Sequence, residues 1–267
     1  MRAMSQALGK PDRSGATAIR LDPIESKPGY RRVAETIEAE ILAGRLKAGD
    51  LLPIEADLAT QLGVNRSTIR EGIRTLENAG LIRRAGGKRL MICTPEQREV
   101  TWTVCRALGL GRVTFPELFE ILMGLEPYAA RLAAGRLRPE AAAAMKENLR
   151  LTEEQLYDDE ALVALDVEFH RLVAQATGNR ALAVSEEPIA MLLHSATDQL
   201  YRRSPRARFR LLEAHRHVYE ALVARDADGA EQWMRKHIED FRRGYIVAGM
   251  DFKGPIKFGP HGRPPKP

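Results

Sequence analysis

Residues 54–80 read IEADLATQLGVNRSTIREGIRTLENAG, and the way this stretch divides decides the fold of the N-terminal part. Leu58, Leu62, Val64, Ile69, Ile73 and Leu76 recur at the spacing of two short helices, each burying one face. Gly63 closes the first, over residues 55–62, and Gly80 stops the second, over 67–79, because helices commonly end on a glycine in the left-handed conformation. The outer face around the start of the second helix is left to Asn65, Arg66, Ser67, Thr68 and Arg70. A helix N-terminus presents N–H groups without intrahelical partners and a partial positive charge, which suits phosphate oxygens. Arg66 and Arg70 are four apart and project from nearly the same side, where forked guanidiniums reach a guanine edge or a phosphate. Ser67 and Thr68 are short hydroxyl donors suited to a nucleic-acid backbone.

Outward from this pair, Val33, Ile37, Ile41 and Leu42 predict a preceding helix closed by Gly44. After it, Leu81-Ile82-Arg83-Arg84 and Arg89-Leu90-Met91-Ile92 flank Ala85-Gly86-Gly87-Lys88 and predict two short strands around a glycine turn. The order helix, helix, turn, helix, hairpin over residues 30–94 is that of a winged helix-turn-helix. In the wing, Gly87 permits close approach to a sugar-phosphate edge, while Lys88 and Arg89 supply cations that displace counterions from DNA. From about Val100 onward there is no strand signal. Helical spacing runs through residues 115–134, 139–156, 159–177, 181–202, 206–224 and 228–247, so residues 95–250 are expected to form an all-α bundle. The fold class is thus mainly α. Residues 1–29 and 251–267 are Pro/Gly-punctuated and are expected to be a disordered leader and a flexible tail.

The 267 residues suffice for two domains, and a net charge of +5 permits a nucleic-acid partner without proving one. No run approaches the roughly 18 apolar residues of a membrane span, and the first ten residues lack a secretory apolar core. With only Cys93 and Cys105, far apart in sequence, neither a disulfide framework nor a C-x-x-C motif is present. A cytoplasmic protein with two inert thiols is expected.

The second domain carries a different chemistry. Asp166 and His170 are four apart on one helical face bordered by Leu162, Val163, Phe169 and Val173. His215 lies among Leu211, Leu212, Val218, Tyr219 and Leu222, and His237 among Trp233, Met234, Ile238 and Phe241. His217 falls on the polar side and is set apart. One histidine in an apolar stripe is commonly a satisfied core residue. Three of them with a carboxylate, all directed inward, are costly unless paired or bound to a metal. Such a nitrogen-rich set would suit Zn, Ni, Mn or Fe and leave positions open for water or a small acid.

Two segments carry a family resemblance. LPIEADLATQLGVNRSTIREGIRTLENAGLI, residues 52–82, resembles the winged helix-turn-helix of the GntR regulators, whose core reads roughly L-P-S-E-x-x-L-A-x-x-L-G-V-S-R-x-x-V-R-E-A-L-x-x-L-E-x-x-G-L-I. The resemblance makes Arg66 and Arg70 the recognition-helix arginines, with Asn65, Ser67 and Thr68 beside them and Gly87 and Lys88 at the wing tip. It departs at Asn65, where Ser or Thr is frequent and from which an adenine could be read, and at Ala56, where some members carry a DNA-contacting Arg. ALDVEFHRLVAQATGN, residues 164–179, and EAHRHVYEALVARDADGAEQWMRKHI, residues 213–238, resemble the signatures of FCD effector domains of the FadR subgroup. That likeness places the family's metal ligands on Asp166, His170, His215 and His237.

It further implies a homodimer on a pseudo-palindromic double-stranded operator, acting as a repressor and governed by a small-molecule effector, a small organic acid. In FEILMGLEPYAARLAAGRL, residues 119–137, Leu122 stands where the family's E-x-R-x-x-L-E segment has an effector-binding Arg. Arg131 and His194 are candidate substitutes, and an apolar wall at Leu122 points away from a polyanionic sugar acid. Two other readings stand beside this one: a metal that is itself the signal or only structural, and a metal-dependent hydrolase. The hydrolase is disfavoured because no extra carboxylate or Ser/Cys nucleophile groups with the site in the sequence, and an enzyme is not expected.

Overall fold

The structure, a computed structural model, describes residues 27–86, 89–95 and 97–256. Residues 1–26 of the leader expected over 1–29, the expected tail from 257 onward, and the wing residues Gly87 and Lys88 lie outside the described residues, while Gly29 opens the first helix. The chain divides into two units, Met1–Thr94 and Pro95–Pro267.

The first unit runs α1 (Gly29–Leu42), α2 (Glu55–Leu62), α3 (Arg66–Asn78), β1 (Ile82–Arg84) and β2 (Leu90–Ile92). Gly63 takes φ 63°, the left-handed value that lets the chain turn from α2 towards α3. The second helix starts at Arg66, one residue earlier than its apolar spacing indicates, because Asn65 caps it: its side chain accepts from the Thr68 N–H at 2.8 Å. Ile69, Ile73 and Leu76 of α3 are buried in one core with Val33, Ala34 and Ile37 of α1 and with Leu58, Ile82, Leu90 and Ile92. The hairpin pairs Ile82 with Ile92 and Arg84 with Leu90. Residues 49–52 add a further edge: the Leu52 N–H donates to the Leu90 carbonyl at 2.9 Å, and the Ile92 N–H to that of Asp50 at 2.8 Å.

The second unit holds seven helices among the described residues: α4 (Gln97–Leu110), α5 (Phe115–Arg136), α6 (Pro139–Glu154), α7 (Asp159–Ala176), α8 (Arg180–Arg203), α9 (Ala207–Val223) and α10 (Ala227–Val247). Six were expected. α4 escapes the pattern because Thr101 takes a buried position while Val100, Val104 and Leu110 are exposed, so its apolar residues do not mark the buried face. It packs on α8, where the Cys105 thiol donates to the Pro188 carbonyl at 3.4 Å and burial pushes its pKa up to about 11. α10 packs against α5 and α9, while α7 packs against α5, α6 and α8. Residues 251–256 correct the expectation that the tail begins at 251. The Ile256 N–H donates to the Val113 carbonyl at 2.8 Å, Thr114 bridges Pro255, and the Phe252 ring centre lies 5.5 Å from that of Phe115. No helix among the described residues is long and apolar enough to cross a membrane.

Gly72 sets the approach of α1 to α3. A Cβ there would stand 2.7 Å from Val33 Cγ1 and 3.1 Å from the Tyr30 carbonyl oxygen. Gly72→Val is therefore expected to destabilise the first unit by about 1–3 kcal/mol, the usual cost of overpacking, despite valine's better helix propensity. Denaturant titration checks this, and an unchanged midpoint would show that α1 and α3 are not in close contact here.

Candidate functional site

The exposed end of α3 is the first candidate. Arg66 and Ser67 are exposed, and Thr68 is partly buried. Asn65 Oδ1 gathers three donors: the Thr68 N–H at 2.8 Å and the Ser67 and Thr68 hydroxyls, each at 2.7 Å. Arg70 is exposed, and its Nε donates to Glu55 Oε2 at the start of α2, 2.8 Å away. Glu71 and Glu77, the acids within this basic stretch, pair with Arg74 at 2.7 Å and with Arg84 at 3.2 Å. Arg83 and Arg89 are exposed on the hairpin. The helix start and the hairpin thus each present exposed arginines, charge of the kind that phosphate contact requires.

The second candidate lies inside the bundle. α7 presents Asp166 and His170 one turn apart, α9 brings His215 and α10 brings His237, and one potential ligand atom from each lies within 4.8 Å of the others. His170 Nε2 and His237 Nε2 are 3.2 Å apart. Asp166 Oδ1 stands 3.5 Å from His170 Nε2 and 3.4 Å from His215 Nε2. His215 is fully buried and stacked on Phe169, ring centres 3.9 Å apart, and neither of its nitrogens has a hydrogen-bond partner. Burial, with the charges of His237 and His170 added, holds the His215 pKa well below the usual range. Burial and the His170 charge lower that of His237 to about 4. For His170 burial also opposes protonation, but Glu126 and Asp166 outweigh it and lift the pKa well above the ordinary value. The geometry therefore turns one ring nitrogen of each histidine and a carboxylate oxygen towards one point, with His215 and His237 held neutral. His217 stacks outside this group, on Trp233, with ring centres 3.9 Å apart.

Four further residues belong to the site and were missed in the sequence. Glu126 of α5, only 3% exposed, places Oε2 2.6 Å from His170 Nδ1, close enough for its charge to act on the ring. Glu186 of α8, also 3% exposed, groups with Glu126 and His170. Burial and the Glu126 charge push its pKa up to about 9, so it carries a proton at neutral pH. The Tyr201 hydroxyl donates to Asp166 Oδ2 at 3.2 Å. Buried Arg208 donates to the Tyr201 and Leu156 carbonyls and to Asp159, joining the ends of α6 and α8 to the start of α7. The two glutamates correct the expectation that no extra carboxylate joins the site.

A cavity, partly open to solvent, lies beside the cluster. Leu122 and Glu126 of α5, Asp166 and His170 of α7, and His237 and Phe241 of α10 contribute to its lining. Leu122, 5% exposed, forms part of the wall as its position in the sequence led us to expect. Neither proposed substitute for a cation lines it. Arg131 points outward from α5 and pairs with Asp228 and with Glu231, the latter at 3.1 Å, so the structure removes it from the site. His194 sits partly buried on α8 away from the cavity wall, its pKa lowered chiefly by burial.

Comparison with known proteins agrees with this division. Residues 29–92 match the bacterial regulatory proteins of the gntR family, and residues 117–240 match the FCD domain. An uncharacterized HTH-type transcriptional regulator, YcbG of Bacillus subtilis, is 31% identical over 245 residues, covering 90% of this chain and 99% of that protein. Another from Mycobacterium tuberculosis is 37% identical over 156 residues, spanning 57% of this chain but only 63% of its own length. Among solved structures, a GntR protein of Streptococcus agalactiae is similar with a TM-score of 0.59 at 26% identity, over 80% of this chain and 99% of that one. The chain belongs to the GntR family, as a DNA-binding transcriptional regulator in which an FCD domain follows the helix-turn-helix.

Proposed function

We propose that Asp166, His170, His215 and His237 hold a divalent metal ion, and that a small organic acid taken up in the adjoining cavity controls binding to an operator. The observation that carries this reading is the convergence of four donor atoms, one of them from His215, which is fully buried and has no hydrogen-bond partner on either nitrogen. Leaving such a group unsatisfied costs about 1–3 kcal/mol, which a shared cation would offset. The separations also suit one ion: ligands at about 2.0–2.2 Å, at angles between right and tetrahedral, stand roughly 2.8–3.6 Å apart. The observed spacings of 3.2, 3.4 and 3.5 Å fall within that interval. When bound, the ion supplies a Lewis-acidic position for a carboxylate oxygen. Zn, Ni, Mn and Fe all accept this donor set. The cavity next to the cluster favours an effector site over a purely structural metal. Glu126, held against His170, acts on that ring as a carboxylate does on a metal-bound histidine, fixing its tautomer.

At the DNA, a homodimer would offer two α3 helices to a pseudo-palindromic site, Arg66 and Arg70 towards base edges and the hairpin towards phosphates. For the effector to govern this, it must bind one arrangement of the helices better than the other.

Operator titration over a range of salt is expected to show log affinity falling linearly with log salt. Arg66→Ala should narrow the gap between specific and non-specific DNA by about 1–3 kcal/mol. An equal loss on both DNAs would assign Arg66 to phosphate instead. His237→Ala should lose the metal, measured by elemental analysis of the purified protein. His215→Leu removes the unpartnered imidazole, so after chelation it should melt no lower than the parent, while losing the rise in melting temperature that added metal gives the parent. Full metal content in both variants would sink the proposed ligand set.

A further inference from the structure

The charge and lining of the cavity speak to the kind of acid it takes, and this inference rests on the metal reading above. Among the described residues no lysine or arginine lines it. Its charged wall residues besides the histidines are Asp166 and Glu126, both acids. Leu122, Val167, Leu193, Ile238 and Phe241 make the apolar part, and the Thr197 and Tyr201 hydroxyls supply what polarity is left. A divalent ion at the cluster would be balanced by those two carboxylates, leaving attraction for one further oxygen ligand but no net positive charge to hold a second anion. Another carboxylate on the same ligand would then lie against apolar side chains or face Glu126, buried without a cation, which is strongly unfavourable. An apolar body in the same place would replace water along five aliphatic and aromatic side chains.

We infer that the cavity selects monocarboxylates with a short apolar body and rejects dicarboxylates and sugar acids of similar size, with Leu122 setting that preference.

The test is calorimetric titration of the full-length metal-loaded protein with two matched pairs, butyrate against succinate and benzoate against phthalate. Each monoacid is expected to bind at least tenfold more tightly than its diacid, with the heat abolished by chelation. A diacid that binds as well as its monoacid, or a metal-loaded protein that binds none of the four, would overturn the inference while leaving the metal reading intact. Absence of metal from the protein, by elemental analysis, would overturn that reading and this inference with it. Leu122→Arg, accepted for comparison if its metal content and helical circular dichroism match the parent, should shift the succinate-to-butyrate ratio at least tenfold towards succinate. An unchanged ratio in that variant would remove Leu122 from the role, and the parent titration decides the ligand class whether or not the variant folds.

Discussion

Desolvation of His215 is the constraint on which the second unit turns. An imidazole at 0% exposure, stacked on Phe169 and with neither nitrogen satisfied, is not something a helical core holds for packing alone. A leucine would fill the same space at lower cost. Everything close to it is arranged as though a cation were to be shared. Asp166 and His170 reach it from one turn of α7, and His237 from α10, so three helices each bring a potential ligand atom to one place. The surroundings hold that geometry beforehand: Tyr201 on the free oxygen of Asp166, Glu126 against the far nitrogen of His170, and Arg208 tying Tyr201 to the start of α7. Preorganisation of this sort lowers the ordering cost of ion capture and is typical of the outer layer of metal sites.

The same arrangement gives a ligand purchase on several elements at once. The cavity wall draws on α5 through Leu122 and Glu126, on α7 through Val167, on α8 through Leu193 and on α10 through Ile238 and Phe241. A molecule seated there touches four helices, and its binding energy can differ between two packings of them. That is the physical requirement for an effector to act at a distance, since equal affinity for both packings shifts nothing.

How far the sequence could be read depended on how local each feature is. The turn at Gly63, the apolar spacing of α2 and α3, and the inward histidines are local patterns, each visible within a dozen residues. Glu126 and Glu186 are not. In sequence they resemble any acid on a long helix, and only the packing of α5 and α8 around His170 reveals that both are buried. Arg131 failed for the converse reason: its partners Asp228 and Glu231 come from α10, about a hundred positions away, and they draw it outward. α4 was lost because Thr101 is buried while Val100, Val104 and Leu110 are exposed, so its apolar residues do not follow the buried face.

In the first unit the structure redistributes the roles around α3. Reading an adenine with Asn65 would require its Oδ1 to accept from the base while its Nδ2 donates, the bidentate geometry of an amide on adenine. Oδ1 is already shared among the Thr68 N–H and the hydroxyls of Ser67 and Thr68, so that contact would be made at the expense of the helix cap. Those hydroxyls, pointed at Asn65, are likewise less available as donors to phosphate. Arg70 is placed differently. Its Nε is taken by Glu55, which leaves the two terminal nitrogens of an exposed guanidinium as donors, the pair that can match O6 and N7 of guanine. Under the proposed reading, Arg66 and Arg70 would discriminate bases, and Asn65 would serve them indirectly by capping the helix from which both arginines extend.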